Sequence, residues 1–226
     1  EKGSLKLTYA HFLSGRHCDQ QLLSTGEQRF HHDFFGREKV YQVRLHGRGG
    51  QGVVTAAEML SVAAFMEGHF AQAFPSFGSE RTGAPVVAFA RIDEKEIRLH
   101  EPIDEPDVVL VQDPTLLEQV DVFAGLRPQG YLLINSEHTI EELGLTEAVS
   151  ALPAGHAKTV PATRFAIEKI GRPLPGAAML AGYAAMTGNL KLESVQAAYS
   201  ERFGGKIAEA NAEVARLAYE FLTCDR

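Results

Sequence analysis

Cysteine is almost missing from this chain: Cys18 and Cys224, at opposite ends of 226 residues, are the only two. Two thiolates fall short of the four that an ordinary iron–sulfur cluster or an all-cysteine zinc site requires. Such sparing use fits a reducing cytoplasm. A basic block is missing too. The net charge is -7, and nothing in the sequence offsets it, which argues against a nucleic-acid partner. No secretory signal and no apolar span of about 20 residues occurs, so no membrane crossing is expected; the apolar residues 177–186 are far too few. Catalytic signatures are also wanting: there is no G-x-S-x-G elbow, no H-E-x-x-H pair and no P-loop lysine after Gly52. Glu80 has the chemistry of a general acid or base, but nothing in the sequence sets it opposite a histidine or a nucleophile. What remains reads as a domain that lends a binding surface to chemistry held elsewhere.

The composition is that of a soluble globular protein, 45% hydrophobic and 23% charged, and the length suits one substantial core with or without an appendage. Its organising stretch is residues 40–85. Val43 and Leu45 alternate with polar neighbours like a strand entering a sheet. Gly47-Arg48-Gly49-Gly50-Gln51-Gly52 follows, with Gly47, Gly49 and Gly52 in G-x-G-x-x-G spacing. Residues 53–67 then run without proline or an internal glycine, and Val53, Ala57, Leu60 and Ala64 fall at helical spacing. A glycine loop between a strand and a helix permits a tight turn and brings free N–H groups to an anion. The same turn also serves simple close packing of helix on strand, and both readings stand. A dinucleotide site would want an acid at the end of the next strand, expected at residues 69–74, and none is there. His46 is either within reach of a phosphate or an ordinary strand-end histidine, the second being simpler.

Residues 75–85 form a loop with turn residues at both ends, bringing Ser79, Glu80, Arg81 and Thr82 together after a strand. That is where α/β sheets carry sites, although a solvated turn with an incidental Glu–Arg pair reads equally well. Residues 86–92 and 96–100 suggest an antiparallel hairpin around Asp93-Glu94-Lys95. Residues 108–112 and 130–136 read as buried parallel strands; Asp113, at a strand end, either serves a ligand or caps a short helix that starts at Pro114, the cap being the simpler reading. Residues 157–161 suggest a last, edge strand. From Thr163 the chain turns helical, with segments at 163–170, 177–187, 193–203 and a closing amphipathic helix marked by Ile207, Val214, Leu217 and Phe221. The expected fold is α/β: a mainly parallel, Rossmann-like sheet with flanking helices, a β-hairpin and a helical C-terminal part. Residues 1–38 stand apart. They hold His11, His17, His31 and His32 with Phe12, Phe30, Phe34 and Phe35 and show no period. His17, Cys18, His31 and His32 match no zinc spacing, and a partner-docking arm is the better reading.

The glycine hexapeptide after a strand, followed by Pro75-Ser76-Phe77-Gly78-Ser79-Glu80-Arg81-Thr82-Gly83-Ala84-Pro85, resembles the gamma domain of the 2-oxoacid:acceptor oxidoreductases. Its second motif is more similar to the pyruvate:ferredoxin enzymes (pyruvate synthases) than to relatives acting on 2-oxoglutarate. The resemblance runs from about Val40 to Phe221, so residues 39–226 would be the gamma domain. It implies a cytoplasmic complex with alpha, beta and delta-type subunits, in which partners carry thiamine diphosphate and 4Fe–4S clusters, coenzyme A receives the acyl group and ferredoxin exchanges electrons. It further implies that Gly47, Arg48, Gly49, Gly50, Gln51 and Gly52 lie near the coenzyme A phosphates or a subunit junction, with Ser79, Glu80 and Arg81 in the neighbouring loop and no catalytic residue in this chain. The chain departs from the family at Gly176-Ala177-Ala178, where relatives often start the helix with asparagine. Three other readings stay open: a subunit of a related oxidoreductase acting on 2-oxoglutarate, a branched-chain 2-oxoacid or indolepyruvate; a free-standing dinucleotide-binding oxidoreductase; and a structural module whose glycine loop serves packing.

Overall fold

The computed structural model describes residues 40–76, 82–99 and 101–224. The proposed N-terminal arm lies outside the described residues. Along the remainder run β1 (Tyr41–Arg48), α1 (Val53–Met66), β2 (Phe70–Pro75), β3 (Pro85–Asp93), β4 (Val108–Val111), a 3-10 turn (Pro114–Glu118), β5 (Tyr131–Asn135) and β6 (Ala157–Val160). Four helices close the chain: α2 (Ala162–Ile170), α3 (Gly176–Thr187), α4 (Leu192–Arg202) and α5 (Gly205–Cys224).

The six strands lie in the order β2-β3-β1-β4-β5-β6. β1, β4, β5 and β6 are parallel, while β3 runs antiparallel to both β1 and β2. Five strands therefore point one way and only β3 opposes them. The parallel strands β4 and β5 are short and apolar on both faces, as a strand covered on both sides must be.

Alternation divides the core in two. Val43, Leu45, Val108, Leu110 and Leu133 face α1 and the C-terminal helices in one large cluster. Val109, Val111, Leu132 and Ile134 face the opposite way, where Leu116, Val122 and Ile140 from the connecting segments cover them. α3 is buried along residues 176–185, which explains why it is apolar all round and not striped.

The antiparallel element differs from the hairpin expected at residues 86–100. Residues 96–99 do not join the sheet, and β3 pairs with β2 and β1 instead. Two buried arginines account for this. Arg91 Nη2 donates to Glu101 O at 2.7 Å, and Arg44 donates to Ile103 O (3.4 Å), Val122 O (3.1 Å) and Ala124 O (2.5 Å). Guanidinium groups on the sheet thus take the carbonyls of the passing segment, which lies across the face and not along an edge. The short connection from β2 to β3 also dictates the antiparallel pair, since a parallel return needs a crossover of about a dozen residues or more. One consequence reaches the dinucleotide reading: the strand after α1 is not β1's neighbour, because β3 lies between them.

Candidate functional site

After β1 the chain jumps to one edge of the sheet as β2 and returns as β3 beside β1; from β4 it works towards the other edge, through β5 and β6. The crevice at the carboxyl ends of β1 and β4 is therefore a topological switch point, the place where open α/β sheets bind ligands. The glycine hexapeptide stands there. Gly47 and Gly52 have different tasks. A Cβ on Gly47 would lie 2.5 Å from Val53 Cγ2 and 3.2 Å from Gln112 Cβ, so this glycine allows α1 to close on the strands. Gly52 takes φ 76 at the N-cap of α1, and among the described residues nothing lies within 4 Å of where its Cβ would stand. No side chain caps α1, and its first turn has no acid, leaving the positive end of its dipole unopposed by carboxylate.

The hexapeptide and the second motif meet. Gly49 N donates to Ala84 O at 2.9 Å, and Gly83 N donates to Gly49 O at 3.0 Å. Gly49 and Thr82 form a parallel bridge. Ser79, Glu80 and Arg81 lie outside the described residues.

Gln51 folds back into its own loop. Its Oε1 accepts from Arg48 N at 2.8 Å, and its Nε2 donates to Asp113 Oδ2 at 2.6 Å. Asp113 does cap the 3-10 turn, its Oδ1 accepting from Thr115 N at 3.0 Å, but it also accepts from Thr115 Oγ1 (2.5 Å) and pairs with Arg48 Nε at 3.3 Å. Burial pushes the Asp113 carboxyl up. The hydrogen bonds from Thr115 and Gln51 and the charge of Arg48 outweigh that, so its pKa ends below the usual carboxylate value. Arg48 Nη1 donates to Gly83 O at 3.1 Å, while Nη2 donates to Thr115 Oγ1 (2.6 Å) and Gln119 Oε1 (3.1 Å).

Beneath the loop lie residues that carried no signal in the sequence. Gln112 is 1% exposed, and neither atom of its amide group has a hydrogen-bond partner. Asn135 Nδ2 donates to Gln112 O (2.7 Å) and to Thr163 Oγ1 (2.7 Å), while its Oδ1 accepts from Thr163 N at the start of α2. One asparagine thus joins the ends of β4 and β5 to a helix N-terminus. At Gly176 a Cβ would stand 2.7 Å from Tyr199 Oη and 3.3 Å from Ala56 Cβ; α3 starts tight against α1 and α4.

His46 is 6% exposed, on the face of β1 away from Val43 and Leu45, and neither ring nitrogen has a partner among the described residues. Burial, with Arg44 adding to it, depresses its pKa to about 4. It is a buried strand-end histidine, neutral at physiological pH. Among the described residues no group of three or more His, Cys, Asp and Glu is placed to hold a metal ion. No described helix is long and apolar enough to cross a membrane.

Comparison with known proteins gives concordant results. Residues 42–221 match the family model described as pyruvate ferredoxin/flavodoxin oxidoreductase. The "Pyruvate/ketoisovalerate oxidoreductases common subunit gamma" of Pyrococcus abyssi is 51% identical over 179 residues, covering 79% of this chain and 95% of that protein. "Pyruvate synthase subunit PorC" of Methanocaldococcus jannaschii is 47% identical over 178 residues, 79% of this chain and 94% of the relative. Among solved structures, the pyruvate oxidoreductase subunit PORC of Thermotoga maritima superposes with a TM-score of 0.67 at 34% identity, over 81% of this chain and 97% of the other.

Proposed function

The chain belongs to the pyruvate ferredoxin/flavodoxin oxidoreductase family, and from that membership we propose that it is the gamma subunit of a pyruvate:ferredoxin oxidoreductase. The observation that carries this reading is the 51% identity to a gamma subunit spanning 95% of that relative's length. In the reaction, the bond between the carboxyl and keto carbons of pyruvate breaks and releases CO2. An electron pair leaves for ferredoxin, the acyl carbon joins the sulfur of coenzyme A, and the thiol proton is lost. Thiamine diphosphate and iron–sulfur clusters supply the carbanion and redox chemistry when bound, and we place them on alpha, beta and delta-type partners. This chain has only two cysteines, and Cys224 is exposed at the end of α5. The complex works in the cytoplasm.

The contribution of this chain is binding and orientation. The uncapped, acid-free start of α1 fits the phosphates of coenzyme A. Holding the phosphates anchors one end of a long, flexible co-substrate, so its thiol meets the acyl group at a raised effective concentration. The Pyrococcus relative is named as common to pyruvate and ketoisovalerate enzymes. A subunit shared by both cannot be the part that chooses between those 2-oxoacids, so substrate choice belongs to the partners.

The test is a pair of substitutions in the assembled enzyme. Asparagine and aspartate both tolerate the left-handed backbone of Gly52 better than most residues, and they differ by one charge. Gly52→Asp should raise the KM for coenzyme A about tenfold above Gly52→Asn, with the KM for pyruvate unchanged. Equal coenzyme A kinetics in the two variants would remove the phosphates from this loop.

A further inference from the structure

The polar contacts of Arg48 distinguish two roles that an arginine in a glycine loop can have. A phosphate ligand offers its guanidinium edge to the site. Here Nε faces Asp113 Oδ2 at 3.3 Å and Thr115 Oγ1 at 3.2 Å, Nη1 is on Gly83 O, and Nη2 is on Thr115 Oγ1 and Gln119 Oε1. All three nitrogens are engaged by protein. Asp113 is equally committed: one oxygen takes the amide and hydroxyl of Thr115, the other takes Gln51 and Arg48. Gln51 spends its amide group on Arg48 N and Asp113.

Three stretches far apart in sequence are thereby fastened together at the switch point: the glycine loop, residues 82–84 of the second motif, and the 3-10 turn after β4. Backbone pairing of Gly49 with residues 82–84 completes the junction.

We propose that Arg48 and Asp113, linked through Thr115 and Gln51, are positioning residues that hold the glycine loop and residues 82–84 in the spacing coenzyme A needs, without themselves touching its phosphates. The proposal rests on the coenzyme A reading above. Asp113 was legible as a helix cap and Arg48 as part of the loop; their pairing turns a local cap into the strut of the site.

The experiment uses the assembled complex, following pyruvate-dependent ferredoxin reduction at varied coenzyme A and varied pyruvate. Asp113→Asn removes the charge that Arg48 and Gln51 share and should raise the KM for coenzyme A about tenfold, leaving the KM for pyruvate within about twofold. Thr115 is solvent-exposed, so its substitution is safe for folding. Thr115→Val removes the hydroxyl that joins Arg48 to Asp113 and should weaken coenzyme A about threefold, while Thr115→Ser restores it. Arg48→Met should weaken coenzyme A in the wild-type background but add little in Asp113→Asn, because both changes break one strut.

A merely structural network would lower complex yield or kcat in Asp113→Asn and Thr115→Val with the KM for coenzyme A unmoved; that result, with Gly52→Asp still raising it, would overturn the proposal alone. Full additivity of Arg48→Met and Asp113→Asn would make Arg48 a direct ligand and overturn it too. If Gly52→Asp also leaves coenzyme A untouched, the underlying reading fails and the proposal falls with it.

Discussion

Acid should destabilise this fold through His46 before its carboxylates matter. The imidazole is buried on β1 beside Arg44, neither nitrogen has a partner among the described residues, and its pKa of about 4 lies below the ordinary 6.5. In the unfolded chain the ring returns to the ordinary value. Between pH 6.5 and 4 the unfolded state therefore binds a proton that the native state refuses, and stability rises with pH across that window. The contribution is present in full above the unfolded value and is lost as pH falls towards the folded one. The limiting size is the shift times 1.36 kcal/mol, or about 3 kcal/mol, of which about 2 kcal/mol is gone by about pH 5. Urea unfolding of the purified chain, followed by far-ultraviolet circular dichroism because the chain has no tryptophan, measures this directly. His46→Leu keeps the volume, removes the titration and removes two unpaired polar atoms. It should match or exceed wild type near neutrality and lose the slope between pH 6.5 and 5. Parallel loss of stability in wild type and variant over that interval would refute the assignment.

Two further substitutions probe the packing around β1. Gly47→Ala places a methyl group 2.5 Å from Val53 Cγ2 and should cost about 1–3 kcal/mol, read as a lower urea midpoint with unchanged slope. Arg44→Met strands the carbonyls of Ile103, Val122 and Ala124. It should cost about 3 kcal/mol and speed limited proteolysis between residues 99 and 127, whereas wild-type resistance there would show that these carbonyls find other donors.

Much of this fold can be read locally. Val43 and Leu45 announce β1, the apolar runs at 108–111 and 131–135 announce β4 and β5, and the closing helices show their period or, in α3, their uniform burial. The placement of β3 cannot be read that way. Nothing in residues 85–93 says that they will slip between β1 and β2, because strand order is decided by packing and connection length and not by the pattern within one strand. The misjudged hairpin has the same origin: residues 96–99 have alternating character, but Arg44 and Arg91 claim the neighbouring carbonyls. At the site, the glycine loop and the Asp113 cap are each visible in a few consecutive residues. The Arg48–Asp113 pair is invisible because its members are separated by the whole of α1, β2, β3 and β4. Gln112 and Asn135 look like ordinary strand ends until β4 and β5 are side by side. Local chemistry is legible; coupling between distant stretches requires the fold.

The most direct test of the gamma-subunit reading is native mass spectrometry of the complex drawn from its own cells through this chain, with iron and thiamine diphosphate assayed on the same sample. Larger partner chains carrying both cofactors, in fixed ratio to this one, are the expected result. A lone chain free of iron and thiamine diphosphate would contradict it.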